Sequence, residues 1–319
     1  MNKKVEIKSG LSIIIPFVLE SPQVQFTVRA LSEQLREASF NWEIIVVNNY
    51  CKEVSQQQAR QGFTIGDDAG GNHLNSMCKY HSWLKYYEYK RKLSHWQSKN
   101  LAISKAKYST LFFLDSHCLL SNGALVSMYD EFERLESMRG FSMHLPITYH
   151  ILENKKLIYK LVAEVEKGNC GYSFTSAPDT SQILYKVPCM STCGMMIEKR
   201  VLESIGCFPK ELGIYSGGEQ FLNFTMAVCG MNKYIFNGGV LHHHGAKRKY
   251  HWNFDDFHRN NVIAAYIYGG KYWANLRHIN SKAAPLKFVG DVFSLNAQHR
   301  QLIKDMQIKT IQKWLSEQI

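Results

Sequence analysis

Asp115-Ser116-His117 closes an apolar run, Ser109–Leu114. A carboxylate and an imidazole at i, i+2 can face the same way in extended or turn geometry. That pair suits a divalent cation of intermediate softness, such as Mn²⁺ or Mg²⁺, with positions left open for phosphate oxygens. The same triplet also reads as a strand-end aspartate capping the next helix beside an incidental histidine. A second cluster, His242-His243-His244, follows another apolar run and offers a third ligand, although it fits a solvated turn equally well. Behind it, Lys247-Arg248-Lys249 are followed by Tyr250, His251 and Trp252. Cations beside a metal make sense when the ligand carries several negative charges, as a diphosphate does. Between the clusters lies Gly217-Gly218-Glu219-Gln220, where small residues before a helix leave a carboxylate facing open space. A glutamate at a helix start is also favoured by the helix dipole alone.

The elements that must hold these residues alternate. Leu11–Phe17 is a short β-branched run broken by Pro16 and reads as a buried strand. Gln23–Ala38 has apolar residues at Val24, Val28, Leu31 and Leu35, a helical spacing. Trp42–Val47 is a second strand ending at Asn48-Asn49, and Ser109–Leu114 a third, preceded by a helix end at Leu101–Ala106. This order predicts an α/β fold with a mostly parallel central sheet and helices on both faces. Ligands in such folds bind outside the carboxyl ends of the strands, where Asn48 and Asp115–His117 both fall. Phe141–Tyr149 reads as one further strand, residues 151–187 as a substrate-facing insertion or loop, Glu219–Cys229 as a helix, and Leu295–Ile319 as a terminal amphipathic helix. No internal repeat is evident.

Composition excludes several classes. With 319 residues, 45% apolar and 20% charged, the chain has a sizeable core and is neither disordered nor fibrous as a whole. No run approaches the roughly 18 apolar residues of a membrane span, and Met1–Gly10 is basic and polar rather than signal-like. Eight cysteines with no CxxC pair predict free thiols, a cytoplasmic location and no structural zinc. The net charge of +11 draws the chain towards polyanions or is ordinary surface solvation.

The stretch Phe113–Cys118, followed by Ser121-Asn122-Gly123-Ala124-Leu125, resembles the metal motif of polypeptide N-acetylgalactosaminyltransferases. Tyr215–Gln220, continuing to Cys229-Gly230, resembles the Gly-Gly-Glu helix of that family. Leu11–Phe17, Glu43–Asn49 and Ser98-Lys99-Asn100 are similar to the wider family-two glycosyltransferases with a GT-A fold. The resemblance covers residues 11–250. It implies a GT-A domain over residues 1–280 with a helical extension over 281–319. It also implies transfer of a sugar from a nucleotide-diphosphate donor, a UDP-sugar, to an acceptor hydroxyl. Metal ligation falls to Asp115, His117 and His244, with His242 and His243 as rivals for the third place. Donor binding falls to Pro16, Asn48, Lys99, Asn100, Lys247, Arg248 and His251, and catalysis to Glu219 and Gln220. Asn48 stands where the family usually has an aspartate. Gln220 replaces the aspartate that inverting members use as general base, which leaves Glu219 or the departing phosphate and leans towards retention.

The acceptor is the open term. The enzymes with the nearest D-S-H motif modify protein hydroxyls and carry a membrane anchor and usually a lectin domain, neither of which is expected here. Lys79–Trp96 reads as an insertion with five Lys or Arg residues among six aromatics, a composition that suits nucleic acid or an amphipathic helix packed on the core. Related GT-A enzymes glycosylate hydroxymethylated pyrimidines in DNA, and a base flipped out of the stack would reach a strand-end pocket. Lys85, Tyr86, Lys90, Arg91 and Trp252 are the candidate acceptor residues. A saccharide, lipid-linked or protein hydroxyl is the alternative acceptor, and an inactive domain acting as a binding module a lesser one.

Overall fold

A computed structural model describes residues 8–60, 69–135, 140–149, 155–245, 250–252, 254–280 and 287–318. Its first half runs β1 (Lys8–Phe17), α1 (Gln23–Gln34), β2 (Trp42–Asn48), α2 (Lys52–Arg60), α3 (Ala69–Met77), β3 (Leu84–Glu88), α4 (His95–Lys105), β4 (Tyr108–Phe113), β5 (Cys118–Leu120) and α5 (Ala124–Arg134). Then come β6 (Phe141–His144), β7 (Ile147–Thr148), β8 (Leu157–Glu164), β9 (Asn169–Ser176), β10 (Leu184–Lys186), β11 (Met195–Glu198), α6 (Lys199–Ser204) and α7 (Gly218–Val228). The chain continues through β12 (Asn232–Phe236), β13 (Leu241–His243), α8 (Phe254–Gly269), α9 (Lys271–Asn280), α10 (Lys287–Leu295), α11 (Ala297–Met306) and α12 (Ile311–Ser316).

The main sheet has the order β10-β12-β6-β11-β4-β1-β2-β3. Its β3-β2-β1-β4 half is parallel throughout, and β6 and β12 are parallel to each other. β11 runs antiparallel between β4 and β6, and β10 antiparallel at the edge. Both faces are covered, which explains the unbroken apolar runs: Ile13 and Ile15 join a cluster with α1 and α5, while Ile14 joins one with α4, α6, α7 and α8. Each such fully buried side chain contributes roughly 1.5–3 kcal/mol.

A second, smaller sheet has the order β5-β13-β7-β8-β9. It accounts for two departures from the sequence expectations. The expected strand over Phe141–Tyr149 is split at Leu145-Pro146, and its two pieces pair in different sheets. The region 151–187 is not a loop, because β8 and β9 form a paired hairpin within it. Local periodicity misses this hairpin because its faces mix polar and aromatic residues.

Lys79–Trp96 is likewise not an insertion. It supplies β3, the parallel edge strand beside β2, and then Ser94, whose hydroxyl accepts the Gln97 N–H and caps α4. The rings are half-buried on both faces of the sheet: Trp83 and Tyr86 pack on one core cluster, Tyr87 and Tyr89 on the other. The terminal segment is two helices, α11 and α12, rather than one. Ile303, Ile311, Trp314 and Leu315 pack into the same core cluster as α7 and α8.

Candidate active site

The carboxyl ends of β1, β2 and β4 open into a cleft lined by Pro16, Glu20, Asn49, Asp115, His117 and Tyr215. Asp115 follows β4 directly, and Thr27 of α1 donates its hydroxyl to the carbonyls of Ser116 and Cys118, at 2.9 and 3.0 Å, pinning the turn. Across the cleft Leu19 lies in the left-handed region, with φ 57°, just before Glu20. Glu20 accepts the Ser116 hydroxyl at 2.6 Å and His117 Nδ1 at 2.8 Å. That bond makes Nδ1 the protonated nitrogen and leaves the Nε2 lone pair facing the cleft.

The third group comes from the second sheet. β13 pairs antiparallel with β5, and His243 falls opposite Cys118. His243 Nε2 therefore sits 3.3 Å from His117 Nε2 and 3.8 Å from Asp115 Oδ2. Two ligands side by side on an ion at about 2.1 Å lie about 3 Å apart, and the two distances from His243 are near that spacing. Burial opposes ionisation of Asp115, but the His243 bond and the charges of Lys99 and the histidines outweigh it and hold the carboxyl well below the usual range. Cys118 is close enough to join His117 and His243, but burial pushes its thiol well up and it faces the Cys193 sulfur at 3.6 Å. A carboxylate with two imidazoles is the fitting donor set for a borderline-hard divalent ion. His242 is turned to Thr148 Oγ1 at 2.9 Å, and the His244 main-chain N–H donates to the His117 carbonyl at 3.0 Å. The structure sets the His243 side chain beside Asp115 and His117, and joins His244, to which the resemblance pointed, to the same turn through its main chain.

Glu219 opens α7 after Gly217 and Gly218, and both glycines are required by their surroundings. Gly217 has φ 75°, and a Cβ on Gly218 would lie 2.4 Å from the Trp96 ring. The carboxylate does not face open space. Its Oε1 accepts the Ser191 hydroxyl at 2.8 Å and the Thr192 N–H at 2.9 Å. Its Oε2 accepts the Tyr172 and Tyr159 hydroxyls at 2.6 and 3.2 Å. These two rings are stacked on the β8–β9 hairpin with centroids 4.2 Å apart. Burial, then the Glu219 charge, drives both tyrosine hydroxyls well up, so they remain donors.

The family-two glycosyltransferase model matches residues 12–206, more than half of the chain. The chain belongs to glycosyl transferase family 2. Asp115 and His117 lie inside the matched span, Glu219 and His243 beyond it. No curated protein matches the sequence. Among solved structures, GalNAc-T7 with UDP, GalNAc and Mn²⁺ is similar at a TM-score of 0.71 and 14% identity, over 98% of this chain and 57% of that one. The chain therefore spans little more than half of that protein. S. aureus TarS 1-349 in complex with UDP-GlcNAc is similar at a TM-score of 0.51 and 13% identity, over 92% of this chain and 81% of that one. The fold of this glycosyltransferase is GT-A.

The other expected donor-binding residues of the transferase are placed unevenly. Pro16 lines the cleft. Asn48 is buried, giving its amide to the Tyr86 hydroxyl at 3.0 Å and accepting the Tyr50 N–H at 2.9 Å. Lys99 is fully buried, with Nζ donating to Thr192 Oγ1 at 3.2 Å and lying over the Trp96 ring. Asn100 turns away and exchanges hydrogen bonds with the Phe208 backbone, so it braces that turn instead of a ligand. Lys247 and Arg248 lie outside the described residues. The His251 main chain is tied to Gln57 and its ring is exposed. The Gln220 amide nitrogen reaches Ser216 Oγ at 3.5 Å.

Of the expected acceptor residues, Lys85 and Tyr86 are half-buried on β3, while Arg91 is exposed and Lys90 pairs with Glu88 at 2.6 Å. Trp252 stacks on the cleft residue Tyr215 at 5.2 Å. Sequence reasoning missed Glu20, Tyr159, Tyr172, Ser191 and Thr192. They reach the site from four separate segments, Ser191 and Thr192 from one turn, and no spacing in the sequence signals them.

Proposed function

We propose that the glycosyltransferase is dependent on a divalent cation, Mn²⁺ or Mg²⁺, held by Asp115, His117 and His243. Its donor is a UDP-sugar and its acceptor a hydroxymethylated pyrimidine in DNA. The observation that carries the cation is His243 Nε2 standing 3.3 Å from His117 Nε2 and 3.8 Å from Asp115 Oδ2 at the end of β4. Glu20 orients His117 from behind, as carboxylates do for metal-binding histidines. When bound, the ion supplies Lewis-acid neutralisation of the diphosphate as it leaves.

The His243 bond, and after it the Lys99 ammonium, hold Asp115 ionised. Glu219 orders the 191–192 turn and the hairpin, since both of its oxygens already accept protein donors. Gln220 has no proton-accepting group of use at neutral pH. The proton of the acceptor hydroxyl is accordingly assigned to the departing phosphate oxygen, the arrangement of a retaining transfer. The acceptor assignment is supported by the net charge of +11 and by the exposed Arg91 just beyond the carboxyl end of β3.

The test is incubation of the protein with labelled UDP-sugars, Mn²⁺ and hydroxymethyluracil- or hydroxymethylcytosine-containing DNA. His117→Ala is expected to abolish metal-dependent transfer with the fold intact by circular dichroism. Full activity of that variant in EDTA overturns the metal assignment. Transfer to a saccharide and to neither DNA overturns the acceptor.

A further inference from the structure

The stacking surface that a nucleic-acid acceptor requires is absent from 79–96, whose rings other than the exposed Tyr80 are mostly engaged in core packing. A different set of rings is exposed beside the cleft. Tyr215 lines the cleft with Asp115 and His117. Trp252 stacks on Tyr215 at 20°, and Phe257 lies 28° from Tyr215 with centroids 6.1 Å apart. Phe254 stacks on Phe257 at 5.9 Å and 15°. Trp252 also meets Phe257 at 5.5 Å and 38°, so three rings cluster at the cleft and Phe254 carries the ladder outwards, onto side chains that water would ordinarily reject: Phe254 is 58% exposed and Trp252 38%.

Beyond Phe254 and Phe257 the ladder continues into a groove whose cations are Lys167 and Arg277. Lys167 pairs with Glu164 at 3.0 Å, and Arg277 donates to Asn169 Oδ1 at 2.5 Å, which holds the guanidinium in place. The ladder is tied to the catalytic helix as well. Ser216, two residues before Gly218, donates its hydroxyl to Asn261 Oδ1 at 2.9 Å, and Asn261 lines the same groove.

We propose that this ladder is the acceptor platform of the enzyme and that it binds single-stranded nucleic acid by base stacking, with Arg277 tracking the phosphates. The inference rests on the transferase reading given above and names where its acceptor lies. A planar base extends a stack of near-parallel rings at the open face of Phe254, and stacking needs no sequence-specific contact. The guanidinium beside that face supplies the charge that a phosphodiester chain requires.

The experiment is binding of a fluorescein-labelled single-stranded DNA oligonucleotide, read by anisotropy, to the full chain and to Phe254→Ala and Phe254→Tyr. Phe254→Ala is expected to weaken binding roughly 5- to 100-fold, the loss of one stacked base. Phe254→Tyr keeps the ring face and is expected to restore the affinity. Equal affinity of all three proteins, or no binding by the unaltered protein, overturns the proposal. So does a loss that falls on a neutral polysaccharide instead. Donor turnover by the unaltered protein separates the two ideas. UDP-sugar turnover with oligonucleotide binding indifferent to Phe254 removes the platform and leaves the transferase. The Phe254 effect without UDP-sugar turnover does the reverse.

Discussion

Two acidic centres, Asp115 at the cleft and Glu219 at the start of α7, are built in opposite ways. Around Asp115 the acceptor atoms of two imidazoles and a carboxylate converge, and His117 is steadied from behind by Glu20. One carboxylate with two imidazoles is a donor set that suits a divalent cation. Around Glu219 the reverse holds: Ser191, Thr192, Tyr159 and Tyr172 all donate to one carboxylate. Its charge is already spread over protein donors, so it braces the walls of the site instead of reaching into it. Two residues that look equally catalytic in the sequence thus have different work, and the surrounding hydrogen bonds assign it.

The largest effect that would break this contrast is at the third ligand. His243→Ala is expected to lower metal-dependent UDP-sugar turnover by about 10²-fold or more, on the scale of losing a positioned electrostatic group. His244→Ala is expected to change it only several-fold. Equal losses in both would dissolve the selection made by the β5–β13 pairing. Next in size, Glu20→Gln should weaken metal affinity about 10- to 100-fold, with turnover largely recovered at saturating Mn²⁺. A Mn²⁺ titration of turnover reads this, and an unchanged midpoint would detach Glu20 from the cluster.

The smallest effect is at Glu219. Tyr172→Phe removes its shortest donor, at 2.6 Å, and should cost about 1.5–3 kcal/mol as a hydrogen bond to a charged group. Thermal unfolding should register that as a lower Tm, while the metal midpoint stays where it was. A shifted Mn²⁺ midpoint with unchanged Tm would show that the two centres are not separate.

Much of the frame was legible because it is encoded locally. LSIII in Leu11–Ile15 reads as a strand buried on both sides, and Ile13, Ile14 and Ile15 divide between the two core clusters as that reading requires. Asp115 follows a strand, so its place at the ligand-binding edge also followed from the sequence. The hairpin Leu157–Ser176 was not legible, because the buried Tyr159 and half-buried Tyr172 are held by each other and by Glu219 while Lys160 and Ser173 beside them face water. The role of Lys79–Trp96 was misread for a related reason. A ring-rich edge strand and a ring-rich binding insertion have the same composition, and only the pairing of β3 with β2 separates them.

What the sequence by itself determined was the alternating α/β order, the D-S-H turn at a strand end and the Gly-Gly-Glu helix start. Each depends on side-chain period or on neighbours a few residues apart. What only the tertiary structure decided was which histidine stands beside that turn, what holds Glu219 and which aromatics remain open to a ligand. His243 and Cys118 are opposite each other through a strand pairing between residues far apart in the chain. Register over such a separation depends on how both sheets pack, and a one-residue slip would present a different histidine.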